Sequence, residues 1–335
     1  MKQQSSYRGC VLKGEIKVNI HNNKVTYDFV LKRNITIIRG NSGTGKTTLY
    51  KLVSDYMKDN KGSGVKITMS SGDSCIALND TDFDNQIKKT KNSVVFIDEG
   101  FNGFKNAEST NDFIRRIKNT DNYYVIFSRE SFDKIPSSIE EIYEIKTNKS
   151  KHTLKRFYEI NKNHRLNVNI SKKDNFVLLI TEDSKSSKQF FKEYYKESSI
   201  KVESANGNSN IIKMIKENEK SGLMVIVDGA AFSPYIDKVY KICKYNTRIN
   251  ICLPESFEWM ILKSGVLKGK QINEALNNTS EIIDITKYFS WEKFFTYFLE
   301  DITKDKKLTK YEKKNISAYY LNEENMKKIA AVIGL

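Results

Sequence analysis

Histidine, cysteine and long apolar runs are all scarce in this 335-residue chain, and each shortage removes a class of function. The three histidines, His21, His152 and His164, are too few and too scattered for a histidine-based zinc site or a Ser-His-Asp relay. The four cysteines, Cys10, Cys75, Cys243 and Cys252, have neither metal-binding nor redox spacing, so buried free thiols in a reducing cytoplasm are expected. No apolar stretch reaches the length of a membrane span, and Met1 to Ser6 lead into no hydrophobic signal region, so no membrane partner is expected. Internal repeats and long low-complexity segments are absent too.

What is present is lysine. The formal charge is +15, and Lys far outnumbers Arg while Asn and Ile are abundant, the bias of an AT-rich genome. A basic surface attracts phosphate backbones, but a solvated lysine-rich surface gives the same composition. The densest stretch, Lys304 to Lys314 with Lys306, Lys307, Lys310 and Lys313, reads as the polar face of a helix or an exposed loop. The length and a hydrophobic fraction of 39% predict two domains with a core each.

Residues Gly40-Asn41-Ser42-Gly43-Thr44-Gly45-Lys46-Thr47-Thr48 spell a complete phosphate-binding loop, G-x-x-x-x-G-K-[ST]. Its glycines let backbone N–H groups close around phosphate oxygens; Lys46 is placed for the β- and γ-phosphates and the Thr47 hydroxyl for Mg²⁺. Ile35 to Arg39 before it reads as a buried strand, and Leu49, Leu52, Val53 and Tyr56 after it fall at helical spacing. Downstream, the apolar strand Val94 to Ile97 ends in Asp98-Glu99. Asp98 is placed to hold Mg²⁺ through water and Glu99 to polarise an attacking water, so the expected ligands are ATP and Mg²⁺.

Alternation from Gly14 to Ile20 and from Lys24 to Leu31 predicts an antiparallel pair ahead of the loop. Val65 to Met69 and Cys75 to Leu78 read as short strands hairpinned around Ser70 to Ser74. A helix over Asp112 to Ile117 and strands over Tyr123 to Phe127 and Ile142 to Ile145 complete a first domain, 1–150. Residues 151–172 read as a linker or small hairpin. Strands then alternate with helices: Phe176 to Ile180, Ile200 to Val202, Leu223 to Val227 and Arg248 to Leu253, with helices carrying Phe190 and Phe191, Ile211 and Ile215, and Pro234 to Cys243 between them. That alternation predicts a parallel α/β sheet in a second domain, 173–260, followed by a mainly helical extension, 261–335.

The first unit resembles the ATP-binding cassette class, including its non-transporter branch. The resemblance rests on Gly40 to Thr48, on Val94 to Glu99 and on the antiparallel pair before the loop. It implies a P-loop ATPase with Lys46 and Glu99 as catalytic residues, working as a homo-oligomer or with a partner subunit. This chain departs from the class in two places. Ser70 to Ser74 is a poor match to the Leu-Ser-Gly-Gly-Gln signature, and Ser128-Arg129 stand where a histidine is usual. Gln86 is a loosely placed candidate for sensing the γ-phosphate, as is Arg129, whose alternative is a surface pair with Glu130 or Asp133.

In the second unit Glu182 follows one strand and Asp228 another, and parallel strands bring both to one sheet edge. The arrangement resembles the TOPRIM domain of topoisomerases, primases and OLD-family nucleases, which implies Glu182 and Asp228 as ligands of a second Mg²⁺ and Glu182 as a catalytic residue in phosphodiester chemistry. Ala230 replaces the second aspartate of the family's Asp-x-Asp, and Asp183 replaces the glycine after the glutamate; Asp183, Glu255 or Glu258 are the candidates to compensate. Ordinary polar caps on a Rossmann-like sheet are the plainer alternative. Phe257 to Leu262 read as a buried helix rather than a base-stacking surface.

A phosphate-loop ATPase followed by a TOPRIM-like domain resembles OLD-family proteins and related anti-phage systems. The resemblance implies an ATP-controlled effector acting on DNA or RNA in the cytoplasm. The alternative is a regulatory ATPase whose C-terminal half binds nucleic acid or protein without cutting. A small-molecule kinase fits less well, because the strand ends in Asp-Glu and arginines to grip an acceptor phosphate are few.

Overall fold

The structure is a computed structural model that describes residues 14–70, 74–129, 135–168 and 176–335. Cys10, Ser71-Gly72-Asp73, Glu130, Asp133 and residues 169–172 of the expected linker lie outside the described residues. The fold is α/β, with a large mixed sheet, a smaller parallel sheet and surrounding helices.

In chain order, β1 (Ile16–His21) and β2 (Thr26–Leu31) are followed by β3 (Ile35–Arg39) and α1 (Lys46–Lys58). Next come β4 (Lys66–Met69), β5 (Ser74–Leu78), α2 (Phe83–Lys89), β6 (Ser93–Ile97), α3 (Ala107–Ile117), β7 (Tyr123–Ser128), β8 (Ile142–Asn148) and β9 (Lys151–Arg156). The nine strands form one sheet in the order β4-β1-β2-β9-β8-β3-β7-β6-β5. As expected, β1 and β2 pair antiparallel, with Ile16, Val18 and Ile20 buried on one face. Strands β3, β6 and β7 are buried along their whole length, the pattern of central parallel strands covered on both faces.

The expected hairpin over Ser70 to Ser74 does not form. β4 pairs with β1 at one edge of the sheet, whereas β5 pairs with β6 at the other. The five Cα steps from Met69 to Ser74 span at most about 19 Å. Nine strands laid flat would put the two edges about 38 Å apart. The sheet therefore curls until its edges approach, and α1 packs against β1, β4, β5 and β6. Leu49, Leu52 and Val53 supply the buried stripe of α1, as their spacing predicts.

The second sheet is parallel throughout, in the order β11-β10-β12-β13. Its strands are β10 (Leu178–Thr181), β11 (Lys201–Ser204), β12 (Leu223–Ile226) and β13 (Ile249–Cys252). Between them run α4 (Ser186–Tyr194), α5 (Asn208–Glu217) and α6 (Ser233–Tyr245). Beyond lie α7 (Phe257–Lys263), α8 (Lys270–Asn277), α9 (Thr279–Ile282), α10 (Trp291–Thr303) and α11 (Glu323–Ala331). α7 is buried from Phe257 to Leu262, so this segment is core and not a base-stacking surface.

The chain divides into two compact units that are interleaved in sequence. The first comprises residues 1–129, 144–155 and 280–289; the second comprises 130–143, 156–279 and 290–335. The segment expected as a linker is structured at both ends. Lys151–Arg156 is a strand paired in parallel with β2, and Leu166 N–H donates to the Ile251 carbonyl at 3.0 Å. The C-terminal 75 residues expected as one helical extension, 261–335, are likewise split. Ser280 accepts from Gly14 N–H at 2.9 Å, and the Phe289 carbonyl accepts from the Asn34 amide at 3.1 Å.

One glycine holds the second sheet's edge together. Gly229 N–H donates to the Pro254 carbonyl at 2.6 Å, and a Cβ at Gly229 would lie 2.7 Å from the Leu253 carbonyl oxygen. Backbone cannot swing aside as a side chain can, so Gly229→Ala is expected to destabilise the protein by about 1–3 kcal/mol, read by chemical denaturation. An unchanged midpoint would show that the two strand ends have slack between them.

Candidate functional site

The phosphate loop, Arg129 and the Asp98-Glu99 pair follow three adjacent parallel strands, β3, β7 and β6. Pairing of Arg39 with Ser128 and of Ile97 with Ile126 brings the three carboxyl ends to one edge. The sheet therefore gathers residues separated by up to 89 positions without any loop having to reach. An open cleft of about 770 Å³ lies there, lined by Asn41 to Thr48, Glu99 and Arg129 together with Val25, Tyr27, Thr147 and His152.

α1 starts at Lys46 behind Gly45, which takes a left-handed conformation (φ 96°) and offers no side-chain cap. The first-turn N–H groups are thus left for a ligand, and the helix field favours an anion there. Thr47 and Thr48 are exposed at the same turn. Lys46 is buried, and its ammonium folds back onto the Gly40 carbonyl, the Asn41 carbonyl at 3.0 Å and the Thr44 hydroxyl at 3.3 Å. Burial lowers its pKa, and Arg129 adds to that, while Glu99 and Asp98 act against it. Loop carbonyls thus hold a cation that has no carboxylate in direct contact.

Glu99 is gripped by Arg129 on one oxygen: Nε donates at 2.8 Å, and the second guanidinium contact is 2.7 Å. The other oxygen, Oε2, is buried with no hydrogen-bond partner among the described residues. The partner described for Arg129 is thus Glu99, neither of the two expected, since Glu130 and Asp133 lie outside the described residues. The bond to Glu99 raises the Arg129 pKa further, so it stays charged. Gln86 is engaged elsewhere, donating to Asn79 at 2.8 Å, and does not line the cleft. An uncapped helix turn, a lysine held only by loop oxygens and an orphaned carboxylate oxygen fit a nucleoside triphosphate with its Mg²⁺. Of the two residues expected to hold that metal, Thr47 lines the cleft, whereas Asp98, directly before Glu99, is not among its lining residues.

No motif marks the cleft's other wall. Tyr27 and His152 stack at 4.4 Å with 14° between rings, and the Tyr27 hydroxyl donates to the Gly45 carbonyl at 2.9 Å. His152 Nδ1 bonds the Thr147 hydroxyl at 2.9 Å, and burial lowers its pKa, favouring the neutral ring. His152 sits in what read as a linker; only its parallel pairing to β2 brings it to the loop.

A second cluster occupies the carboxyl edge of the smaller sheet. Thr181 pairs with Ile226, so Glu182 one position beyond and Asp228 two positions beyond lie at neighbouring strand ends. Glu182 Oε2 accepts from the Asp228 backbone N–H at 3.1 Å, and its Oε1 accepts from Asn208 at 2.9 Å. A narrow pocket of about 10 Å³, room for about one water, joins both acids to Asp183, Ser187, Glu258 and Lys313. Burial pushes the Glu182 pKa up to about 7, offset in part by the Asp228 N–H and by Lys313. Burial and then Glu182 push Asp228 well above the usual carboxylate range.

Glu258, one of the three candidates to compensate for the missing aspartate, is the one that arrives fully buried. Ser256 caps α7 by accepting from Trp259 N–H at 3.1 Å, which sets Glu258 in the first turn with 0% exposure. Its Oε1 accepts from the Tyr311 hydroxyl at 2.8 Å, and its Oε2 has no partner. An acid inside the wholly apolar run Phe257 to Leu262 was the available signal. Ala230 is buried against the sheet and supplies no oxygen from its side chain.

Lys313 was not foreseen. Lys304, Lys306, Lys307, Lys310 and Lys314 form the exposed, loop-like stretch expected, but two of its residues turn inward: Tyr311 is 2% exposed, and the Lys313 ammonium lies 3.6 Å from Glu258 and 3.4 Å from Glu292. Burial lowers its pKa, but Glu258, Asp228 and Glu292 together outweigh that, and the net shift is upward. Among the described residues, no three acidic, thiol or imidazole side chains converge as metal ligands would. The carboxylates surround an ammonium instead.

No helix among the described residues is long and apolar enough to cross a membrane. No family model and no curated protein matches the chain.

If the cleft binds nucleotide through Lys46, Lys46→Ala should weaken binding of a fluorescent ATP analogue at least about 100-fold, the scale of losing a charge-assisted contact to phosphate. Retained affinity would sink the assignment of the loop.

Proposed function

We propose that this protein binds and hydrolyses ATP with Mg²⁺, and that its nucleotide state controls a TOPRIM-like C-terminal unit acting on nucleic acid. The observation that carries the first half is the cleft in which the uncapped first turn of α1, Lys46, Glu99 and Arg129 meet. The α1 amides and Lys46 bind the phosphates, and Thr47 and Asp98 hold the metal. Mg²⁺ would supply charge neutralisation across the β- and γ-oxygens. Arg129 is the group closest to Glu99 and the natural partner for an arriving γ-phosphate; once it turns to phosphate, Glu99 is released to orient water. Tyr27 and His152 form the wall against which the base packs. A cytoplasmic setting, a second copy or partner subunit and a role in anti-phage defence belong to the same reading through its likeness to OLD-type systems.

For the second half, the support is Glu182 and Asp228 at adjacent parallel strand ends, with Glu258 buried beside them. Glu182 and Asp228 are the residues that would hold a divalent cation, which there supplies Lewis-acid activation of a phosphodiester. A specific observation also favours the second reading, a regulatory ATPase with a non-cutting nucleic-acid or protein-binding unit. Lys313 neutralises the acids, and no three of the described side chains are arranged as metal ligands.

Two variants separate these readings. Glu99→Gln should leave ATP binding within about twofold while lowering ATP turnover about 100-fold or more, the scale of losing a positioned general base. Unchanged turnover would remove Glu99 from the chemistry. Metal-dependent cleavage of plasmid DNA or of RNA that vanishes in Glu182→Gln is the outcome expected of an active effector. Salt-dependent binding without cleavage in the unaltered protein establishes the regulatory reading.

A further inference from the structure

We propose that the Lys313 ammonium holds the position a divalent cation would take among Glu182, Asp228 and Glu258, so that cation and lysine compete for the same carboxylates. The inference rests on the reading of this pocket as a cation site and adds what presently fills it.

Three observations carry it. First, Glu258 is fully enclosed yet leaves Oε2 without a hydrogen-bond partner, in the pocket it shares with Glu182 and Asp228. A buried carboxylate oxygen left bare is costly, and a cation is the species that satisfies it. Second, Lys313 sits as a shared counter-ion and not as one acid's tight partner. Its ammonium donates a long hydrogen bond to Glu292 at 3.4 Å and lies 3.6 Å from Glu258, both longer than the 2.7–2.9 Å of a tight N–H···O⁻ bond. One positive charge thus serves several acids at a distance, where a divalent ion contacting oxygens at about 2.0–2.1 Å would serve them better.

Third, the lysine can leave without unravelling its surroundings. Lys313 lies between α10 and α11 outside any regular element, and its backbone is anchored separately, its carbonyl accepting from Ser186 N–H at 3.1 Å. Its side chain is 22% exposed, so a path to solvent exists for the ammonium alone. With the ammonium in place no three of the described acids converge as metal ligands, and its withdrawal leaves them room to close on a smaller ion.

The test is Mn²⁺ binding to the full chain without nucleotide, read by loss of the free-ion electron paramagnetic resonance signal and by the cation-induced rise in thermal midpoint. Lys313→Met keeps the length of the stem and removes the charge. It should bind Mn²⁺ at least about tenfold tighter than the unaltered protein, the direction set by removing a like charge from the site, and gain a larger rise in midpoint. Binding equal to or weaker than that of the unaltered protein overturns the proposal. Should Lys313→Met fold only with cation, far-UV circular dichroism reads the same competition. Recovery of helix signal on adding Mn²⁺ supports the proposal, and no recovery at saturating Mn²⁺ overturns it. Glu182→Gln separates this from its premise. If it binds Mn²⁺ as tightly as the unaltered protein, the pocket is not a cation site at all. If it binds more weakly while Lys313→Met binds no tighter, only the competition fails.

Discussion

The second unit is organised around the cost of burying several carboxylates together. Parallel pairing of β10 and β12 forces Glu182 and Asp228 to adjacent positions, and the cap on α7 drives Glu258 in beside them. Like charges at such range cannot all ionise in a low-dielectric setting. The fold answers with two devices. Proton affinity rises at Glu182 and Asp228, and the chain returns from α10 to insert Lys313. An uncompensated buried charge typically costs about 3–5 kcal/mol, a large part of the net stability of any domain. That cost explains why, within an otherwise exposed 304–314 segment, Tyr311 is buried and Lys313 turns inward, the Tyr311 hydroxyl reaching both Glu258 and Ser186.

The first unit solves the opposite problem with the same economy. There the cations come first: Lys46 at a helix start and Arg129 at a strand end. Lys46 is held by loop carbonyls and Arg129 by Glu99. Neither arrangement is as favourable as phosphate would be. Carbonyl dipoles are weaker acceptors than an anion, and Glu99 is left with one oxygen unsatisfied. The curled sheet makes the grouping possible, because three consecutive parallel strand ends need no long loops to bring these residues together.

The legible parts of this molecule were those written locally. The phosphate loop announced itself through nine consecutive residues, and the strands before and after it through unbroken apolar runs. Glu182 and Asp228 were legible because a polar residue at the end of a buried strand is a positional signal, and parallel topology did the rest. What escaped was long-range. Nothing near Lys313 distinguishes it from Lys306 or Lys310, since its role is set by acids 21 and 55 positions earlier in the chain. His152 escaped because a short amphipathic strand inserted beside β2 looks, in sequence, like a polar connector. The hairpin expected at Ser70 to Ser74 failed for a related reason. A turn-like sequence between two short strands fixes a change of direction but not which strand each will pair with, and here the curl of the sheet offered each an edge of its own.

The two pockets differ in how much must change for a ligand to enter, and that difference bears on control. At the loop of Gly40 to Thr48 the helix turn is uncapped and Lys46 is held by neutral oxygens, so on the proposed reading the main rearrangement on binding is release of Arg129 from Glu99. At the acidic pocket, on the competition proposed above, a cation would first have to displace Lys313 from its acids. The apparent affinity of such a site is its intrinsic affinity reduced by the fraction of molecules in which the lysine has withdrawn. A site held mostly closed by one residue is therefore sensitive to anything that shifts that fraction. A bias of about 1.4 kcal/mol toward the withdrawn position strengthens apparent cation binding about tenfold while the closed position dominates. Control of this unit requires no rebuilding of the sheet edge, only a change in where one ammonium rests.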